Sequence, residues 1–450
     1  MHVGVQVKDH SGRKVILNPE KDLLMNLQEN QGKTTKIEPC VAVFEGHEDG
    51  DLNGVRIFPD GKILSWGIND SVRIWDNNGK PLYVLDKHQN RREGPILLPD
   101  NTVLTWSATS LKMWDSSGSQ VEVLEGHLKD ITGAKIMPDG RILSFSDDST
   151  LRLWTQKGKP LSILHGHKRG VNNAVVLPDC RIVSSSYDSL RIWNSDGQRL
   201  ATIEGPNLSI TSFKVLSNRR ILTWHETLQL WDEEGQLLSS MEGHTEVVND
   251  VQILSDARIL SSSRDGTLRL WSKDGILEKV LEGHTAEVTG ALELADGSIL
   301  SWSFDGTLRL WSTHGDAIAI FAGHTRPVEE VSILPNGTIL SWSRDWTLRL
   351  WDSNGRSMSV LDAHTGPITC VKVLADGRIL SGSADNRILL WSPEGELLTV
   401  YAEHTEAVID LEVLNAGKFI SWSEDKTLRL WLIDENANAV YPASGTALTG

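Results

Sequence analysis

Residues 281–324 read LEGHTAEVTGALELADGSILSWSFDGTLRLWSTHGDAIAIFAGH, and this stretch decides how the rest of the chain is read. It begins and ends on a Gly-His pair, Gly283-His284 and Gly323-His324. Between them lie an Asp-Gly turn at Asp305, a tryptophan at Trp311 and short runs of β-favouring residues. A similar unit recurs ten times across the 450 residues. Self-similarity at a fixed period is the signature of a repeat architecture, so one closed array can absorb a length that would otherwise suggest several domains.

The marker histidines are His47, His88, His127, His167, His244, His284, His324, His364 and His404, with Gly205-Pro206 in the slot that lacks one. The matching tryptophans are Trp75, Trp114, Trp154, Trp193, Trp231, Trp271, Trp311, Trp351, Trp391 and Trp431. Each unit divides into four strand-length runs, here 288–294, 298–303, 308–311 and 317–321. Asp296-Gly297, Asp305-Gly306 and His314-Gly315 supply turn residues that tolerate positive φ. Short β-favouring runs with such turns predict a four-stranded antiparallel meander. One such sheet cannot bury both of its faces, so the units must stack face to face.

On these residues the chain resembles the WD-repeat β-propeller family, whose hallmark is Gly-His, then an Asp turn, then Trp-Asp. The terminal pair survives as Trp75-Asp76, Trp114-Asp115, Trp231-Asp232 and Trp351-Asp352. About nine-tenths of the chain takes part. The expected fold is all-β: a β-propeller of four-stranded antiparallel blades made from ten WD-type repeats. Propellers typically have four to eight blades, so ten units admit three arrangements. These are one ring of ten narrower wedges, two rings split at the degenerate fifth unit, or a seven- or eight-bladed ring with surplus units. No linker-like insertion interrupts the repeat between His47 and Trp431, which favours the single closed ring.

The expected domain layout is an N-terminal extension over 1–36, the array over 37–441 and a tail over 442–450. In the extension, two β runs flank residues 9–12 as a small hairpin, and 20–28 suits a short helix. The family closes its ring by pairing an N-terminal strand with the last blade. Of the two candidate outer strands, Val41-Ala42-Val43-Phe44 is a better β-former than 436–441.

Six units contain a set that invites a catalytic reading. They are His127, Ser144, Asp148 and Trp154; His244, Ser261, Asp265 and Trp271; His284, Ser301, Asp305 and Trp311; His324, Ser341, Asp345 and Trp351; His364, Ser381, Asp385 and Trp391; and His404, Ser421, Asp425 and Trp431. Unit four adds His167, Ser184, Asp188 and Trp193 on a shorter turn. Ser-His-Asp is the hydrolase triad, but an active site needs one constellation in one cleft. The resemblance implies instead a structural hydrogen-bond network from Trp through Ser and His to Asp. Buried indole and imidazole groups need such partners. No catalytic residue is assigned. Unit one has Asn69 for the acid, unit two offers Ala108 and Thr109, and unit five has Pro206 and Glu226, so it is expected to lack the network. Units two and five are expected to be the least rigid.

The formal charge of −16 argues against a phosphate-backbone binder, which needs a basic footprint. Cys40, Cys180 and Cys370 are odd in number and far apart, so neither a disulfide framework nor a zinc site is expected and a reducing compartment fits. No run suits a signal core or a bilayer span. The expectation is a cytoplasmic protein with no cofactor or metal and neither a nucleic-acid nor a membrane partner.

The family's usual docking surface is the face carrying the Gly-His loops and Asp turns. There the residues three and five past the His, and the one before the Asp, are expected to point outward. These include Val247, Asn249 and Arg264; Glu287, Thr289 and Phe304; Pro327, Glu329 and Arg344; Gly170, Asn172 and Tyr187; Asp130, Thr132 and Asp147; and Arg91 with Glu93. Trp346 takes a turn tip that is Gly266 and Gly306 in the preceding units. Arg and aromatic residues are enriched at interface hot spots. The partner-binding set is therefore Tyr187, Arg264, Glu287, Phe304, Glu329, Arg344 and Trp346, for a protein or peptide partner. Trp66, Trp302, Trp342 and Trp422, alternating with the network serines, are expected to pack between blades.

Two other functions compete with this scaffold reading. An enzyme with a site in the central channel would have to draw on the non-repeating His165, His225 and His314. Self-association through repetitive sheet edges or the N-terminal extension is the other.

Overall fold

The computed structural model describes residues 5–8, 14–17, 36–37, 39–47, 52–67, 71–87, 94–187, 189–204, 212–414 and 417–433. Ten sheets, each with four antiparallel strands, follow one another along the chain, and no helix occurs among the described residues. Blade seven comprises Val288–Glu293, Ile299–Ser303, Thr307–Trp311 and Ala317–Ala322, from the innermost strand to the outermost. Its turns hold Gly297, Gly306 and Gly315 at φ of 83°, 79° and 81°, the left-handed region that the Asp-Gly and His-Gly pairs foretold.

Every blade packs on the next, and blade ten returns to blade one, so the units form one ring of ten blades. One apolar cluster shows the closure: Leu52, Ile63 and Trp75 of blade one pack with Ile420, Trp422 and Leu428 of blade ten. Trp302 packs against the cluster that joins blades seven and eight, and Trp342 belongs to the one that joins blades eight and nine. Trp422 likewise faces blade one and Trp66 faces blade two. The alternating tryptophans therefore fill the space between blades.

Their size is matched across the pair. Gly290 pairs with Trp302, and a Cβ on Gly290 would lie 2.4 Å from the indole. Blade nine inverts the arrangement. Cys370 pairs with Gly382, and a Cβ there would lie 2.6 Å from the Cys370 sulfur. Small-opposite-large pairing keeps the interior at close-packed density while the residue types change.

The outer strand of blade ten is Ala42–Phe44, antiparallel to Leu428–Leu432, as expected of the better β-former. The competing segment at 436–441 lies outside the described residues, as do the helix anticipated at 20–28 and the tail at 442–450. The hairpin is present as Val5–Lys8 against Lys14–Leu17. One pairing was not anticipated. Lys36–Ile37 lies parallel to Leu397–Tyr401 and makes blade nine a five-stranded sheet. Pro39, two residues on, cannot donate to a ladder, and the chain passes from blade nine to blade ten around it.

Candidate functional site

In blade seven the Trp311 indole N–H donates to Ser301 Oγ at 2.9 Å, and Ser301 Oγ lies 2.9 Å from His284 Nε2. His284 Nδ1 lies 2.9 Å from Asp305 Oδ2. With the serine hydroxyl donating to Nε2 and Nδ1–H donating to the carboxylate, every donor is satisfied. The same chain of contacts joins His127, Ser144, Asp148 and Trp154. It recurs at His244, Ser261, Asp265 and Trp271. It holds again for His324, Ser341, Asp345 and Trp351. His364, Ser381, Asp385 and Trp391 repeat it, as do His404, Ser421, Asp425 and Trp431. In blade four, His167, Ser184 and Trp193 are joined, while Asp188 lies outside the described residues.

These serines are fully buried, and each already accepts an indole N–H, so none is presented to a substrate as a nucleophile. The Gly-His glycine is needed because an arginine of the blade's third strand lies against it. Gly283 holds φ at +151°, and a Cβ there would meet Arg309 Nη1 at 2.5 Å.

Two members of the network escaped the sequence reading. Thr307 donates through its N–H and hydroxyl to Asp305 Oδ1, and Thr285 N–H donates to Oδ2. Ser303 accepts the Asp305 N–H and donates to Ala286 O. The recurring Ser-x-Asp-x-Thr spacing carries this signal, although serine and threonine are unremarkable in any β-turn. Blade nine substitutes Arg387, whose guanidinium donates to Asp385 and to Ala363 O. Burial opposes ionisation of these carboxyls, but the converging donors win. Asp148 is lowered to about 2, and Asp305, Asp345, Asp385 and Asp425 fall well below the ordinary range. Burial lowers His127, His244 and His404, against the pull of their aspartates.

Unit five needs a correction. The half of the network that does not require histidine persists, with Trp231 donating to Thr223 Oγ1 at 3.0 Å. Trp114 and Thr105 make the same bond in blade two at 2.9 Å. A threonine hydroxyl accepts an indole N–H as well as serine does. Asn69, His88 and Pro206 lie outside the described residues.

On the face carrying the Gly-His loops, blades six to eight bring most of the candidate set together. The Arg344 guanidinium stacks over Phe304 at 5.1 Å, and its Nε donates to Glu329. Arg264 pairs with Glu287 at 3.3 Å, and Glu287 also accepts from Asn249 at 2.9 Å. Trp346 sits on its turn tip at φ of 70° and is 43% exposed. Tyr187 stands apart on blade four, 56% exposed. Arg91 and Glu93 lie outside the described residues.

In blades three, six and seven the residue five past the His does not point outward, whereas its equivalent in blade eight, Glu329, is exposed and accepts from Arg344. Except in blades two and five, the inner strands carry a bulge in this region, between Val288 and Gly290 in blade seven. In blades three, six and seven the bulged side chain is turned to the next blade: Thr132 donates to Val171 O, Asn249 to Val288 O and Thr289 to Val328 O. These residues stitch blades together. The non-repeating histidines are dispersed, with His165 on the outer strand of blade three, His225 after the second strand of blade five and His314 in the last turn of blade seven. No cluster of three or more potential metal ligands occurs among the described residues. No helix among them is long and apolar enough to cross a membrane.

No curated protein matches the chain. It is similar to the crystal structure of the computationally designed Ika8 protein (crystal packing No.1 in P63), at 20% identity and a TM-score of 0.49, covering 88% of this chain and 99% of that one. The model of the family described as WD domain, G-beta repeat matches residues 38–76, 118–155, 158–194, 235–272, 275–312, 315–352 and 355–392. These segments make up more than half of the sequence and pass over the second, fifth and tenth units. With the repeated network and the ten-bladed ring, this match places the chain in the WD domain, G-beta repeat family.

Proposed function

We propose that the chain is an interaction scaffold that docks a protein or peptide partner on the Gly-His face of blades seven and eight. Propellers of this family generally serve as protein-interaction scaffolds. The observation that carries the choice of site is Trp346. A bulky residue held at positive φ is an outlier that costs about 1–3 kcal/mol. Here it occupies a tip that is glycine in blades six and seven and leaves its indole in part to solvent. A residue that is both strained and exposed contributes little to its own fold, which suits display to a partner.

Beside it, Arg344 is held over Phe304 by Glu329, so little side-chain freedom remains to be lost on binding. Arg264 and Arg344 are each already paired with a glutamate, so the surface is not tuned to a polyanion. It suits a segment that lays an apolar side chain against Trp346 and Phe304 and hydrogen-bonds at the rim. The test is affinity capture from native lysate with wild type and with Arg344→Ala and Trp346→Ala. Partners of wild type should be lost from both variants. Equal recovery by all three proteins would refute this face.

A further inference from the structure

The outer edges of the blades carry a second surface, on the rim and away from the Gly-His face. Blade nine shows what such an edge does when a strand is available. Lys36–Ile37 pairs with Leu397–Tyr401, and Val400 is only 5% exposed. The registers make Ile320 of blade seven and Val360 of blade eight equivalent to Val400. Without a covering strand these are 53% and 45% exposed.

Blade seven is the extreme case. Its outer strand, Ala317–Ala322, reads AIAIFA and has no charged or polar side chain. The outer strands of its ring neighbours differ. Leu277–Leu281 of blade six carries Glu278 and Lys279, and Ser357–Leu361 of blade eight is broken by serines. Natural edge strands are ordinarily blunted by charge, proline or a cover, because their unpaired N–H and C=O groups template another strand. The strand AIAIFA has neither charge nor proline, and no strand covers it among the described residues.

We propose that this edge is a homodimer interface, in which Ala317–Ala322 pairs antiparallel with the same strand of a second copy. The occupant is argued from charge and symmetry. At a formal −16, two copies repel over most of their surface, and an uncharged edge is where they approach at least cost. An isologous contact needs a self-complementary patch. In AIAIFA, a two-fold axis at Ile320 sets Ile320 against its own copy, Ala319 against Phe321 and Ile318 against Ala322, apolar against apolar along the strand. Asp316, just before the strand and already held by Lys279, then falls opposite His324 and not opposite another acid. The two blades become one continuous sheet, and no third copy can join at this edge.

The test is sedimentation velocity of the full chain over a concentration series. Wild type should pass from the mass of one chain to that of two as concentration rises. Ile320→Lys and Ile318→Lys, both at exposed positions, should each hold the protein at the single-chain mass with an unchanged circular-dichroism melt. Leu161→Lys, the same change on the outer strand of blade three, should dimerise like wild type. A wild type that stays at the single-chain mass, a dimer that survives both isoleucine variants, a dimer lost equally with Leu161→Lys, or growth beyond two copies would each overturn the proposal.

Discussion

At Ser301 one buried hydroxyl serves two rings, accepting from the Trp311 indole and meeting His284 Nε2. Removing it orphans both, at about 1–3 kcal/mol for each buried group left unpaired. Ser301→Ala should therefore lower the denaturant midpoint of unfolding clearly. Ser301→Thr should lose less than half as much, because Thr105 and Thr223 keep the tryptophan bond in blades two and five. Equal losses in the two variants would show that packing, and not the hydrogen bond, sets the cost. The same network fixes the pH response. His127, His244 and His404 have folded pKa values below the unfolded value, so the unfolded chain binds protons first as pH falls below about 6.5, and stability declines from there. The lowered aspartates act further down. Their contribution is intact above about 4 and is lost as pH falls, through about 2 for Asp148. Urea midpoints measured from pH 8 to pH 3 should fall in two stages, and a flat profile between pH 7 and pH 5 would contradict the histidine part. The four network members were legible because they repeat at fixed spacing. Thr307 and Ser303 were not singled out, because only the folded turn shows their hydroxyls converging on Asp305.

Blades two and five keep the tryptophan–threonine bond, with no described His–Asp link behind it. Blade two has an inner strand of only two residues, Ile96–Leu97, and blade five has inner strands of four. With fewer ladder bonds and no turn lock, their amides should exchange faster than those of blades six to ten under native conditions. Equal protection across the ring would refute this. The strands and turns were readable from the sequence because Asp-Gly and Pro-Asp-Gly pairs state their own φ. The bulge was not. It arises from how two strands count against each other, and it redirected Thr132, Asn249 and Thr289 from solvent to the neighbouring blade.

Ring closure rests on the short strand Ala42–Phe44, with Phe44 fully buried and edge-on to Trp75 at 5.6 Å. Because Phe44 lies in the cluster that joins blades ten and one, Phe44→Ala should cost about 3–5 kcal/mol. It should also raise amide exchange in those two blades together. Exchange confined to blade ten would mean that the strand seals its own sheet without holding the ring. The pairing of Lys36–Ile37 with blade nine extends the clasp across two blades.

The sequence alone determined the unit, its four strands and the network that fastens its turn, and it left two candidates for the strand that closes the last blade. The first three follow from local turn chemistry and a repeating register. Ten units at one spacing favoured a single ring. Only the tertiary structure decided it, because closure depends on the small wedge angle that each inter-blade pair adopts, and no residue states that angle. The tertiary structure also decided which side chains face solvent. At Ala317–Ala322 it left an uncharged edge that no strand covers among the described residues, and at Leu397–Tyr401 it covered the same edge with the chain's own N-terminal strand.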